Sequence, residues 1–324
     1  MIRRPPRSTL DRSSAASDVY KRQTSQDMEF NVEIIRSLIF VPGNRINMIE
    51  KALDFNADII MYDLEDSVPP DEKENARNIA KEWVPKLHAA GKKVMVRCNG
   101  FDTGLTKLEI SAGVSPSLYG VSVGKTESEW DIKGIEQIIN PLEQTCGISH
   151  GSLKIIPWIE SAKAMRNVDS IATASDRVIA IAFGAEDYTN DMGVQRTDDG
   201  SEVYVPRANV AIAARASDVV GLDGPYVAFQ NPDGLKQDAG LARQLGYKGK
   251  FAIHPSQIEI INETFSPSQE EIDYARRVLS EWETAKANGR GSLSIDGKMV
   301  DVPVVKRAEN LIALMNQIDE HTRI

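Results

Sequence analysis

From Arg36 onward the chain alternates short β-branched runs with helix-like stretches, and this alternation limits the fold more than any other feature. The strand-like runs are residues 37–41, 58–63, 93–97, 120–124, 154–159, 178–183, 226–229 and 250–253. Helical patterns fall between and after them, at 45–55, 71–89, 105–112, 128–145, 161–173, 206–219, 233–245 and 256–263. Strands that alternate with helices pair in parallel, because each parallel neighbour needs a crossover. Eight such units in about 230 residues predict closure into a TIM (β/α)8 barrel. The competing architecture is an open doubly wound sheet. Its usual marker, G-x-G-x-x-G after the first strand, is missing.

Beyond the eighth unit lie a helix near 268–288, a Gly-rich turn at 288–291, a hairpin at 292–302 and a last helix near 304–320. Eight units need none of this, so residues 266–324 read as a lid or an oligomer arm on a barrel spanning 31–265. Residues 1–30 stand apart. The first 23 are basic and serine-rich and lack the apolar core of a secretory signal. A mitochondrial transit peptide would not carry Asp11 and Asp18 comfortably, and the segment also resembles translated sequencing-adaptor read-through. It is set outside the fold and expected to be disordered. The expected location is cytoplasmic, or the mitochondrial matrix if the segment is a genuine transit peptide.

Composition narrows the chemistry. Hydrophobic residues make up 41% and charged residues 26%, the balance of a globular chain. A net charge of -9 argues against a nucleic-acid binder, which needs a basic face. No apolar run approaches the roughly 18 residues that span a membrane. Cys98 and Cys146 make neither a disulfide framework nor a zinc site, and four histidines argue against a His-rich metal site. A metal here has to be held by carboxylates.

In a TIM barrel the chemistry sits at the C-terminal ends of the strands. Those ends read Asp63-Leu64-Glu65-Asp66, Arg97-Cys98-Asn99, Lys125-Thr126-Glu127, Glu160-Ser161, Gly184-Ala185-Glu186-Asp187 and His254-Pro255. Clustered carboxylates repel one another unless cations neutralise them. Arg97 and Lys125 can contribute, and a hard divalent ion such as magnesium can do the rest with few protein ligands. Glu160 and Asp187, on neighbouring strands, are the expected ligands. Each residue also has a plainer reading. Asp66 can cap a helix, Arg97 can be a structural ion pair, His254 can orient a loop and Gly184 can simply permit close packing.

The same residues carry a resemblance. Segments 36–43 (RSLIFVPG), 63–68 (DLEDSV), 96–99 (VRCN), 183–187 (FGAED), 249–255 (GKFAIHP) and 296–303 (DGKMVDVP) resemble the citrate lyase beta-subunit family, also described as the HpcH-HpaI aldolase family. It includes citramalyl-CoA lyase and malyl-CoA lyase, and the likeness runs over about residues 36–320. The resemblance implies a TIM barrel, magnesium, a homotrimer or a multiple of it, and a retro-Claisen reaction. A malyl, citramalyl or citryl thioester would split into an acyl-CoA and a 2-oxo acid. Matched residue to residue, it implies Glu160 and Asp187 as metal ligands and Arg97 as the arginine at the carboxylate and carbonyl end of the substrate. It implies Asp301 as a lid acid or base, and Phe40, Lys51, Leu222 and Asp223 along the coenzyme A site. Asn47 stands where one cation of that site is expected. Glu65, Asp66 and Lys125 complete the expected site. The alternative is a citrate lyase subunit acting on a thioester borne by a carrier protein. A non-thioester aldolase on the same barrel is a third reading.

Overall fold

A computed structural model describes residues 33–197 and 199–322. Segment 1–30, expected to be disordered, lies outside the described residues. Eight parallel strands close a barrel in sequence order. They are β1 (Ser37–Pro42), β2 (Ile59–Asp63), β3 (Val94–Cys98), β4 (Gly120–Val123), β5 (Lys154–Ile159), β6 (Ala180–Phe183), β7 (Val220–Asp223) and β8 (Gly249–Ala252). The flanking helices are α1 (Ile46–Lys51), α2 (Lys73–Ala89), α3 (Thr106–Gly113), α4 (Glu129–Thr145), α5 (Ala162–Arg166), α6 (Val168–Ala172), α7 (Ala185–Met192), α8 (Ser201–Ala216), α9 (Pro232–Leu245) and α10 (Ile258–Phe265). Among the described residues no helix is long and apolar enough to cross a membrane.

The strands alternate between two buried faces, which is why they read as near-continuous apolar runs. Ile39, Val41, Ile60, Tyr62, Val96 and Ile155 join the core shared with the helices. The lumen is filled by the intervening residues. Its upper part is an aromatic stack: Phe40 of β1 lies 5.1 Å from Phe251 of β8 and 5.9 Å from Trp158 of β5, centroid to centroid. Trp158 donates its indole N–H to Ser122 Oγ at 2.9 Å. Among the described residues the lumen beneath the mouth is therefore packed with side chains.

One strand lies elsewhere than the sequence suggests. The expected seventh strand, 226–229, is a loop, with Val227 and Phe229 exposed at 55% and 43%. The true β7 lies six residues earlier, at Val220–Asp223. Val219 and Val220 continue the apolar period of the preceding helix, so the sequence extends that helix to 219. In fact α8 stops at Ala216, and Asp218 turns the chain with a left-handed φ of 54°. Helix α7 is also absent from the sequence reading, and the helix expected over 161–173 divides at Asn167 into α5 and α6.

After α10 come α11 (Gln269–Ala287), the hairpin of β9 (Leu293–Ile295) and β10 (Lys298–Val300), and α12 (Val302–Thr322). These pack mainly on one another through Ala275, Val278, Ile295, Val300, Val305 and Ala308. Arg243 of α9 pairs with Glu271 of α11 at 2.8 Å and ties the appendage to the barrel.

Candidate functional site

The strand register sets the first elements of the site. Asp63 closes β2 directly opposite Arg97 of β3. Arg97 Nε and Nη2 donate in parallel to the two Asp63 oxygens, at 2.8 and 2.7 Å. Its Nη1 lies 2.9 Å from Glu65 Oε2 and 3.3 Å from Asp66 Oδ2. The guanidinium rests on the Phe40 ring, 4.3 Å from its centroid. Burial opposes ionisation of Asp63, but the Arg97 guanidinium outweighs it and holds the carboxyl below its ordinary range. Arg97 is thus fixed on three sides before any ligand arrives.

Glu160 follows β5 immediately, and Ser161 after it caps α5 by accepting from Ala164 N. Neighbouring glycines leave Glu160 its space. A Cβ at Gly184 would stand 2.5 Å from Glu160 Oε2, and one at Gly124 would stand 2.7 Å from Glu65 Oε1. The backbone N–H of Lys125 donates to Glu160 Oε1 at 2.5 Å. Lys125 does so from a left-handed φ of 51°, which is uncommon for a residue with a side chain. Asp187 lies in the first turn of α7 rather than at the tip of β6.

These carboxylates crowd one another. Burial, and then the charge of Asp187, pushes Glu160 up to about 7. Burial against the opposing pull of Arg97 pushes Glu65 up to about 8. Burial and the nearby Asp66 raise Asp187. Among the described residues no cluster of three or more His, Cys, Asp or Glu side chains forms a metal cage. A hard ion that keeps several waters needs only one or two carboxylates, so Glu160 and Asp187 fit a magnesium ion and would be relieved by it.

A cavity of about 400 Å³ opens beside them, lined by Phe101, Lys125, Glu160, Ser161, Asp187 and Asn190 among others. The Lys125 ammonium makes no ion pair among the described residues, whereas Lys163, nearby, is paired to Glu127 at 2.8 Å. The structure therefore brings together Arg97, Glu65, Asp66, Glu160, Asp187 and Lys125.

Other expected site residues lie apart. Phe40 belongs to the aromatic stack under Arg97, and Lys51 is exposed at the end of α1. Leu222 and Asp223 are buried within β7. The Asp223 carboxylate accepts from Arg207 at 2.9 and 2.7 Å and also pairs with Lys250. Strand packing thus encloses both side chains, and cations already pair with the Asp223 carboxylate. Asp301 precedes α12, with Val304 N 3.4 Å from its Oδ1. His254 orients its loop, stacked on Phe229 and bonded to Ser256.

The model of the HpcH/HpaI aldolase/citrate lyase family matches residues 36–255, which include all eight strands. The chain belongs to the HpcH/HpaI aldolase/citrate lyase family. Membership makes it a carbon–carbon lyase. It is 37% identical over 286 residues to the citrate lyase subunit beta of Leuconostoc mesenteroides, covering 88% of this chain and 95% of that one. It is 32% identical over 298 residues to the L-malyl-CoA/beta-methylmalyl-CoA lyase of Cereibacter sphaeroides, covering 86% and 93%. Among solved structures it is similar to CitE from Mycobacterium tuberculosis, solved in complex with magnesium, acetoacetate and coenzyme A. The TM-score is 0.70 at 26% identity, over 86% of this chain and 97% of that one.

The sequence did not single out Lys73 and Glu109, which meet Asn99, two residues beyond Arg97, from α2 and α3. Only their fixed distance from the strand ends could have pointed to them.

Proposed function

We propose that this family member cleaves, or in reverse forms, a short 3-hydroxyacyl thioester of coenzyme A, such as a citramalyl or malyl thioester, with magnesium. The products are acetyl-CoA, or a related acyl-CoA, and a 2-oxo acid. The observation that carries this reading is the cavity at the barrel mouth lined by Glu160, Asp187 and Lys125, with Arg97 close enough for its charge to act on both carboxylates. Glu160 and Asp187 would hold the ion. When bound, magnesium supplies Lewis-acid polarisation of the 2-oxo acid carbonyl.

In the cleavage direction a carboxylate takes the proton of the substrate hydroxyl. The bond between the carbinol carbon and the thioester α-carbon breaks, the oxo group forms, and the electron pair passes into a thioester enolate. A proton delivered to that α-carbon completes the acyl product. Asp301 is the proposed acid or base, carried over the mouth by the C-terminal segment acting as a lid. Arg97, immobilised by Asp63 and Phe40, would face the carboxylate and carbonyl end of the substrate. Lys125 would take an anionic oxygen. Lys51 is an exposed cation on the proposed coenzyme side, and Asn47 offers no charge one turn before it. In a homotrimer, or a multiple of it, Asp301 would act on a neighbouring subunit.

A second reading places the thioester on an acyl-carrier protein within a multi-subunit citrate lyase. The 37% identity to a citrate lyase subunit beta favours it, as does the uncharged Asn47. Purified protein, magnesium and a panel of acyl-CoA thioesters separate the two. Cleavage of a free coenzyme A thioester supports the first reading, and activity that needs a carrier-bound substrate supports the second. Full activity in excess EDTA would remove the metal from both.

A further inference from the structure

Glu109 of α3 is a carboxylate at 0% exposure that forms no direct ion pair among the described residues. Charges are rarely buried without hydrogen bonds that compensate for lost water. Both bonds come from one residue: Asn99 N donates to Oε2 at 2.7 Å and Asn99 Nδ2 to Oε1 at 2.6 Å. Asn99 stands two positions beyond Arg97, where β3 ends. Its Nδ2 also reaches Leu64 O at 3.0 Å, and Thr106 Oγ1 donates to its carbonyl at 2.9 Å. Lys73 of α2 closes the arrangement. Its ammonium donates to Leu64 O at 2.7 Å, to Glu65 O at 2.8 Å and to Asn99 Oδ1 at 3.3 Å.

The donors of Lys73 and Asn99 thus fall on the loop that carries Glu65 and Asp66, the two carboxylates beside Arg97 Nη1. Without the lysine, two loop carbonyls lose a charged donor. Without the glutamate, the Asn99 amide loses its shortest partner and is held only by Leu64 O and Lys73. We propose that Lys73, Asn99 and Glu109 are positioning residues that aim Arg97, by locking the 64–66 loop to the end of β3. None of the three reaches the cavity beside Glu160. The inference rests on the lyase reading of the site, because it needs a reaction in which the aim of Arg97 counts.

A double-mutant cycle tests it. In the otherwise native protein Lys73→Met should lower kcat/KM by about 10- to 100-fold, the usual effect of losing hydrogen bonds from a charged donor. In an Arg97→Lys background the same substitution should cost less than about 3-fold, because the group it aims is gone. Glu109→Gln, nearly the same shape, is run in parallel in case Lys73→Met does not fold, and the same pattern is expected. The loss should fall on kcat more than on KM, at temperatures well below the melting transition of every variant. Equal factors in the two backgrounds would show that the network supports the fold alone and would overturn the inference. A native protein inactive toward every thioester overturns the lyase reading, and this inference with it.

Discussion

Gly184 and Glu160 compete for one volume from neighbouring strands. A methyl group at 184 would stand 2.5 Å from Glu160 Oε2 and 2.7 Å from its Cβ, so the carboxylate would have to move. We expect Gly184→Ala to weaken magnesium-dependent activity by about 10-fold or more, since displacements near 1 Å can cost that much. A magnesium titration of activity checks this, and unchanged metal dependence would return Gly184 to a packing role. Arg97 is equally constrained. Lysine offers a point charge where Asp63 receives a planar fork, so Arg97→Lys should lose most of kcat/KM. Native turnover and affinity in that variant would make Arg97 purely structural.

At the scale of elements, β7 and β8 are fastened by a buried ion cluster. Asp223, Lys250, Arg207 of α8 and Asp238 of α9 neutralise one another, and Lys250 also donates to Gly224 O at 2.7 Å. Lys250→Met would leave two carboxylates facing a single arginine, and we expect a loss of about 3–5 kcal/mol in urea unfolding. A loss under about 1 kcal/mol would contradict the cluster's role. The sequence concealed this part of the barrel. A four-residue strand containing Gly221 has little β signal, and Val219 and Val220 fit the helix before them as well as the strand they begin. The runs at β1, β3 and β5 were legible because each carries several β-branched or bulky apolar residues in succession, as a strand buried on both faces does. At the site, charge immediately after an apolar run could be read directly, which is how Glu160 and Arg97 stood out. Lys73 and Glu109 could not be read, because a polar residue within a helix looks the same whether it meets water or an asparagine.

At the scale of the whole molecule, Asp301 is proposed to act across a subunit boundary. Within one chain its hydrogen bonds stay in its own segment among the described residues, and the C-terminal helices pack largely on each other. If Asp301 serves a neighbouring subunit, mixing inactive Asp301→Ala with inactive Glu160→Ala protein should restore some sites holding both groups. Activity should then reappear as subunits exchange. Verified exchange without activity would confine Asp301 to its own chain.

The aromatic stack of Phe40, Trp158 and Phe251 has a kinetic corollary. It makes the mouth a blind alley, with the same doorway for arrival and departure. Whatever lies deepest must enter first and leave last. Under the proposed function, an oxo acid seated between Arg97 and Glu160 with the thioester above it would make cleavage an ordered release. The 2-oxo acid should then inhibit competitively against the acyl thioester substrate, and the shortened thioester noncompetitively, because only the last product to depart meets the empty enzyme.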